Sequence, residues 1–265
     1  MARDEATRRY DLFAELSLAG LCAVVTGGTR GLGRAIARAL AAAGARVLIG
    51  GRDVEQLNRV AEELSRQTGG ELTGCAADLL DPDQRRRFVE QALEELERVD
   101  ILVNNAGIGL RRPALQTDSE AWHRVLELNL SVPFHLSTAF APQMLRRRFG
   151  RIINVASALG LIAFPGRAAY CSSKGGLIQL TRALALEWAE QSVTVNALCP
   201  GPFETDNNRS IQLDPVAYQH YLSLIPQRRW ARPEELGPLA VYLASRASAF
   251  VTGAVFVIDG GWTAH

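Results

Sequence analysis

The sequence predicts an α/β fold, a single domain in which a doubly wound, seven-stranded parallel sheet is covered by helices on both faces. Three observations carry this prediction. Short runs rich in β-branched residues alternate with stretches whose apolar residues recur every three or four positions. Several of these runs are almost continuously apolar, which a strand buried on both faces requires. No Pro/Gly/Ser-rich linker interrupts the series across the 265 residues. A chain of this length that is 48% hydrophobic can bury about three quarters of its unfolded surface as one domain, which excludes disorder and a disulfide-held mini-fold.

The strands are expected at 21–26, 46–50, 71–76, 101–104, 151–155, 194–198 and 254–258. The first runs into a glycine-rich turn, followed by a helical pattern from Arg34 marked by Ile36, Leu40 and Ala43. Phe88, Ala92, Leu93 and Leu96 mark a helix between the third and fourth strands, and a long helical pattern from Tyr170 to Glu187 precedes the sixth. Residues 1–17 read as an N-terminal extension and 18–265 as the domain. The stretch from Pro200 to about Pro233 lacks strand signal. Ligands of open α/β sheets bind beyond the carboxyl ends of the strands, so residues 201–233 are a candidate substrate lid. Phe203, Glu204, Asp206, Asn207, Asn208, Tyr218, His220, Tyr221 and Trp230 give it hydrogen-bonding groups and aromatic walls that suit a polyhydroxylated substrate.

The first turn reads Thr26-Gly27-Gly28-Thr29-Arg30-Gly31-Leu32-Gly33. Glycine is needed where a backbone turns sharply and where amides approach a pyrophosphate at a helix N-terminus, so strand, glycines and helix in this order point to a Rossmann-type dinucleotide site. An NAD site ends its second strand on Asp or Glu, which holds the ribose hydroxyls; here the strand ends Gly50-Gly51-Arg52. Arg30 and Arg52 suit a 2′-phosphate, so NADP(H) is favoured and NAD(H) stays open. Asp53 is expected to cap the next helix.

Tyr170 and Lys174 lie four residues apart at the start of a helical pattern, which puts phenol and ammonium on one helix face. Ser157 sits just past the carboxyl end of the fifth strand. With the glycine turn, with Asn104-Asn105-Ala106-Gly107, with Asn129 in Leu128-Asn129-Leu130, and with Pro200-Gly201-x-x-x-Thr205, the chain resembles the short-chain dehydrogenase/reductase family from about Leu18 to Thr263. Among its members it looks most like those similar to gluconate 5-dehydrogenase and to 3-oxoacyl-[acyl-carrier-protein] reductase. The resemblance implies interconversion of a ketone and a secondary alcohol. Tyr170 would be the acid/base, Ser157 would bind the substrate oxygen, Asn129 would hold a relay water, and Lys174 would bind the nicotinamide ribose and favour the phenolate. It also implies cofactor contacts from Gly27 through Gly33, from Asp78 and Leu79 near the adenine, from Asn104 through Gly107, and from Pro200, Gly201, Phe203 and Thr205. Asn104 has a second reading as a tie between strands.

The substrate class implied is a sugar acid, a polyol or a similar small polar molecule; a 3-oxoacyl thioester reductase is the alternative. A non-catalytic dinucleotide sensor on the same fold is a third reading, disfavoured because all four tetrad residues are present. Arg111 and Arg112, after the fourth strand, suit an anionic substrate or a solvated loop equally. Family members are commonly tetramers, so a homo-oligomer (tetramer or dimer) is expected, with Gly260, Gly261 and Trp262 as candidate subunit contacts.

Composition excludes several other classes. With 29 Lys+Arg against 28 Asp+Glu the net charge is +1, so no nucleic-acid partner is expected. The four cysteines and four histidines show no metal-ligand spacing, and the thiols read as small buried groups. Arg8-Arg9 resembles a twin-arginine signal, but Asp11 and Glu15 interrupt the apolar stretch that would have to follow. No 18-residue apolar run suggests a membrane span, and a cytoplasmic location is expected. The basic residues comprise 28 arginines and one lysine, Lys174; codon bias with chance, or a need for a compact ammonium at that position, would each account for it.

Overall fold

The computed structural model describes residues 10–264; Arg8-Arg9, His265 and the side chain of Asn207 lie outside the described residues. The strands are Cys22–Thr26 (β1), Arg46–Gly51 (β2), Leu72–Ala76 (β3), Ile101–Asn104 (β4), Gly150–Val155 (β5), Val193–Pro200 (β6) and Val255–Ile258 (β7). They form one sheet in the order β3-β2-β1-β4-β5-β6-β7, every neighbouring pair parallel. The chain therefore winds outward from β1 through β3 and then returns to lay β4 against the other edge of β1. At that reversal the chain leaving β1 and the chain leaving β4 go on to helices on opposite faces, Gly31–Ala42 and Val132–Arg147, and a crevice opens beyond the strands' carboxyl ends.

The helices are Leu12–Leu16 (α1), Gly31–Ala42 (α2), Val54–Thr68 (α3), Pro82–Leu96 (α4), Ser119–Leu126 (α5), Val132–Arg147 (α6), Ala168–Trp188 (α7), Arg209–Gln212 (α8), Pro215–Leu224 (α9) and Gly237–Ala244 (α10). Successive strand residues enter opposite layers. Val25 and Ile49 pack with Ile36 and Leu40 of α2, Leu57 of α3 and Leu243 of α10. Val24, Leu48 and Leu102 pack with Phe88 of α4, Phe140 of α6 and Leu184 of α7. Both faces are dry, which is why these strands read as unbroken apolar runs. Side chains of Asp53, Asp81, Asp118 and Asp214 accept hydrogen bonds from the first turns of α3, α4, α5 and α9, satisfying amides that a helix cannot bond internally. Leu18 is fully buried and its N–H donates to the Ala43 carbonyl, which ties the chain before β1 to the end of α2.

Two expectations are corrected, the start of the first long helix and the place of Trp262, and the strand-free stretch gains a description. The first long helix begins at Gly31 instead of Arg34, because the last glycines of the turn already form its first turn. The 200–233 stretch has no strand, as expected; about half of it is helical, in a short 3-10 turn at Asp206–Asn208, α8 and α9, and a single parallel bridge between Phe203 and Ala231 ties its two ends. Trp262 does not face outward for a partner subunit; it is buried among Ile211, Ile225 and Trp230. A Cβ on Gly260 would come within 2.9 Å of Ile225, and one on Gly261 within 3.0 Å of Pro226, so these glycines let the lid's base seat against the chain after β7. Among the described residues, no helix is long and apolar enough to cross a membrane.

Candidate active site

A cavity of about 780 Å³ follows the carboxyl ends of the central strands. One end is the glycine turn. Gly27 has a φ of +65°, and a Cβ on Gly33 would land on the Gly27 carbonyl oxygen and the Asn105 amide nitrogen. Asn105 donates to the carbonyls of Thr26 (2.8 Å) and Gly27 (3.1 Å), while the Thr26 hydroxyl accepts from the N–H groups of Asn105 and Ala106, both at 3.0 Å. The loops after β1 and β4 are thus locked together. At the start of α2, Arg30 makes no side-chain capping bond, which leaves the first-turn amides to face the cavity. This cradle of unpartnered amides, with no room for a Cβ at Gly33, fits a dinucleotide pyrophosphate.

Of the expected cofactor residues, Gly27, Thr29, Arg30, Gly31, Leu32, Gly33, Arg52, Asp78, Leu79, Asn105, Ala106, Gly107, Pro200, Gly201, Phe203 and Thr205 line the cavity. Arg30 and Arg52 are exposed. Asp53 caps α3, accepting from the Gln56 N–H at 2.9 Å, as expected. Gly28 and Asn104 do not border the cavity. Gly28 lies beneath the turn, where a Cβ would meet Ile49 at 2.7 Å. Asn104 is 3% exposed and donates to Asn154 Oδ1 (2.8 Å) and Ser137 Oγ (3.2 Å). Alternation along β4 sends it into the α6 layer with Leu102, where it ties β4 to Asn154 of β5.

Ser157, Tyr170 and Lys174 meet in the middle of the cavity. Ser157 ends the turn after β5, its hydroxyl accepting from the Leu159 N–H at 3.1 Å. Tyr170 is in the first turn of α7. Lys174 is buried, 4% exposed; its Nζ donates to the Val155 carbonyl at 2.7 Å and lies 5.9 Å from the Tyr170 ring centroid. Burial pushes the Lys174 ammonium down to about 8. Burial also pushes the Tyr170 phenol above its ordinary value, with the Ser157 side chain and the Arg167 guanidinium pulling the other way.

Asn129 lies in a π-helical turn, Glu127–Ser131, between α5 and α6, and is wholly buried. Its side chain accepts from the Ile108 N–H (2.9 Å) and donates to the Ile108 carbonyl (2.9 Å) and Ser173 Oγ (3.0 Å). Both amide protons are spent, and the residue does not border the cavity. Its visible work is to hold the loop after β4, beside Gly107, in place.

The far end is built from side chains. Tyr221, Trp230, Trp262 and Ile211 form walls, and Arg111, Arg167, Asn208 and Ser210 add polar groups. Of the lid residues singled out in the sequence, Phe203, Asp206, Asn208, Tyr221 and Trp230 reach the cavity. Tyr218 instead packs on Trp230, ring centroids 5.6 Å apart, and Glu204 and His220 are exposed. Arg112 pairs with Asp118 at 3.0 Å, away from the cavity, whereas Arg111, though exposed, borders the cavity and donates to Ser210 Oγ (3.2 Å) and Asn208 Oδ1 (3.1 Å). Arg167, Ile211 and Trp262 were not anticipated here. For Arg167 a signal existed in its place three residues before Tyr170, immediately ahead of α7.

Comparisons with known proteins agree with this architecture. A family model described as enoyl-(acyl carrier protein) reductase matches residues 27–263. A 2-dehydro-3-deoxy-D-gluconate 5-dehydrogenase of Pseudoalteromonas atlantica is 39% identical over 261 residues, covering 95% of this chain and 99% of the relative. The 3-oxoacyl-[acyl-carrier-protein] reductase FabG of Aquifex aeolicus is 37% identical over 247 residues, 93% of this chain and 99% of that protein. A crystal structure of a gluconate 5-dehydrogenase from Burkholderia cenocepacia J2315, in complex with NADP and tartrate, superposes with a TM-score of 0.91 at 34% identity, covering 96% of this chain and all of that one. With the glycine turn, Ser157, Tyr170 and Lys174 on one cavity of a seven-stranded parallel sheet, this chain belongs to the short-chain dehydrogenase/reductase family.

Proposed function

We propose that the protein is an NADP(H)-dependent oxidoreductase that interconverts a ketone and a secondary alcohol on a sugar acid, a polyol or a similar small polar substrate. The observation that carries this reading is the meeting of Ser157, Tyr170 and Lys174 midway between an amide-lined glycine cradle and a pocket with aromatic walls. When bound, the nicotinamide supplies or accepts the hydride. Gly27 through Gly33 and Asn105 through Gly107 would hold the dinucleotide, and Arg30 with Arg52 would hold its 2′-phosphate. The NADP in the Burkholderia relative supports that choice.

In the reductive direction Ser157 donates a hydrogen bond to the substrate carbonyl oxygen, and Tyr170 Oη delivers the proton as negative charge develops there. In oxidation the same phenol, as phenolate, takes the proton of the alcohol. A phenol is protonated at neutral pH and burial moves the Tyr170 pKa further up, so the ligand-free site is set for proton donation. Lys174 has one donor fixed on the Val155 carbonyl, leaving two for the ribose and for returning protons to the phenol. Tyr221, Trp230 and Trp262 keep water from the reacting carbon.

Initial rates with NADPH and NADH over a panel of sugar acids, polyols and acyl thioesters test the reading. NADPH-dependent turnover of a small polyhydroxylated substrate is expected, and Tyr170→Phe should lower kcat by about 1,000-fold while NADPH binding persists. A preference for NADH, or turnover of acyl thioesters alone, contradicts it.

A further inference from the structure

We propose that Arg111 and Arg167 form a carboxylate-binding subsite at the far end of the cavity, so that the substrate is a hydroxy acid and not a neutral polyol or a thioester. This rests on the oxidoreductase reading above and names its substrate class. Both guanidiniums line the cavity, and Arg167 stands 6.0 Å from the Tyr170 ring centroid, on the reacting side of the lid. Their partners are all neutral. Arg111 donates to Ser210 Oγ and Asn208 Oδ1; Arg167 makes one long bond, 3.4 Å, to the Leu110 carbonyl. Among the described residues, neither comes within 4.0 Å of a carboxylate, although the adjacent Arg112 is paired with Asp118.

Two cations so placed oppose each other. Burial, and then the charge of Arg167, lowers the pKa of Arg111. The carboxylate that the lid brings to the cavity, Asp206, sits by Gly31 and Thr205 where a second hollow opens toward Arg34 and Arg38, at the cofactor side. An anion between Arg111 and Arg167 would relieve their repulsion and take up donors that now have no acceptor, and guanidinium forks suit the planar carboxylate in particular. The Ser210 and Asn208 contacts also attach Arg111 to α8 and the turn before it, so the same anion would steady the lid over Tyr170. A chain of a few carbons then separates the held carboxylate from the carbon at the phenol.

The test compares gluconate with glucitol, which differ only in a carboxylate replaced by a hydroxymethyl group, as substrates of the NADP⁺-loaded enzyme. Losing a charge-assisted contact costs about 10- to 150-fold. The wild type should favour gluconate by at least that factor in kcat/KM. Arg111→Gln and Arg167→Gln should each collapse the ratio, mainly through the KM for gluconate, with Arg111→Lys recovering part of it and Arg112→Gln leaving it unchanged. A fall for both substrates alike with the ratio intact would make Arg111 only a lid tie and overturn the proposal, as would a wild type that does not discriminate. If the wild type oxidises neither molecule, the oxidoreductase reading fails for this class, and calorimetry with tartrate on the NADP⁺-loaded protein decides the subsite. Binding lost in the double variant Arg111→Gln/Arg167→Gln supports it; no binding by the wild type refutes it.

Discussion

The two ends of the cavity are made of different materials. The glycine-turn end is mostly backbone: amides, the carbonyls of Thr26 and Gly27, and glycines with no room for a Cβ. The lid end is mostly side chains, with Tyr221, Trp230, Trp262 and two guanidiniums projecting from α9 and the surrounding loops. A backbone surface recognises what is common to all dinucleotides, because main-chain geometry hardly depends on sequence. A side-chain surface recognises what is particular to one substrate and changes with single substitutions. Ser157, Tyr170 and Lys174 stand at the seam, so one proton-handling centre serves whatever the variable end presents.

If that contrast is right, the most damaging small change is at the backbone end. Gly33→Ala adds one methyl group where the Gly27 carbonyl and Asn105 already sit; it should cost about 1–3 kcal/mol of stability and remove measurable NADPH binding. A thermal melt with and without cofactor reads both, and an alanine variant that binds normally would break the contrast. Next in size is Lys174→Arg at the seam. Charge is kept, but a guanidinium cannot fit the Val155 carbonyl and the ribose as a compact ammonium does, so kcat should fall by about 100-fold with folding retained. Full activity would return the chain's single lysine to codon bias.

The smallest effect expected is a pH response that sharpens the role of the seam. Because burial raises the Tyr170 pKa, ketone reduction, which needs the phenol, should stay level through neutral and mildly alkaline pH. Alcohol oxidation, which needs the phenolate, should climb over the same range. Reduction that already declines at neutral pH would mean that the bound cofactor reverses the influence of burial.

The backbone end was legible in the sequence and much of the lid end was not, for the same reason. Glycine spacing and strand runs are local signals: the turn at Gly27–Gly33 needs only its own residues and the helix that follows. Trp262 misled because an aromatic beside two glycines near the chain's end looks like a surface anchor, whereas its neighbours Ile211, Ile225 and Trp230 come from distant segments. Arg111 and Arg112 are alike in sequence, and only the positions of Asp118 on one side and Asn208 with Ser210 on the other separate them. Asn129 and Asn104 stand in recognisable motifs, yet both amides are spent inside the protein, a distinction that requires knowing which face each residue presents.

The bridge between Phe203 and Ala231 has a bearing on how such a protein diversifies. Ala231 N–H donates to the Pro202 carbonyl and Glu204 N–H to the Ala231 carbonyl, so the segment between them leaves and rejoins the body at almost one point. For a loop already closed at its neck, doubling its length costs only about 0.6 kcal/mol. The neck therefore behaves as a socket: recombination or grafting can exchange everything above it, altering which molecules are admitted, while the sheet beneath keeps its register.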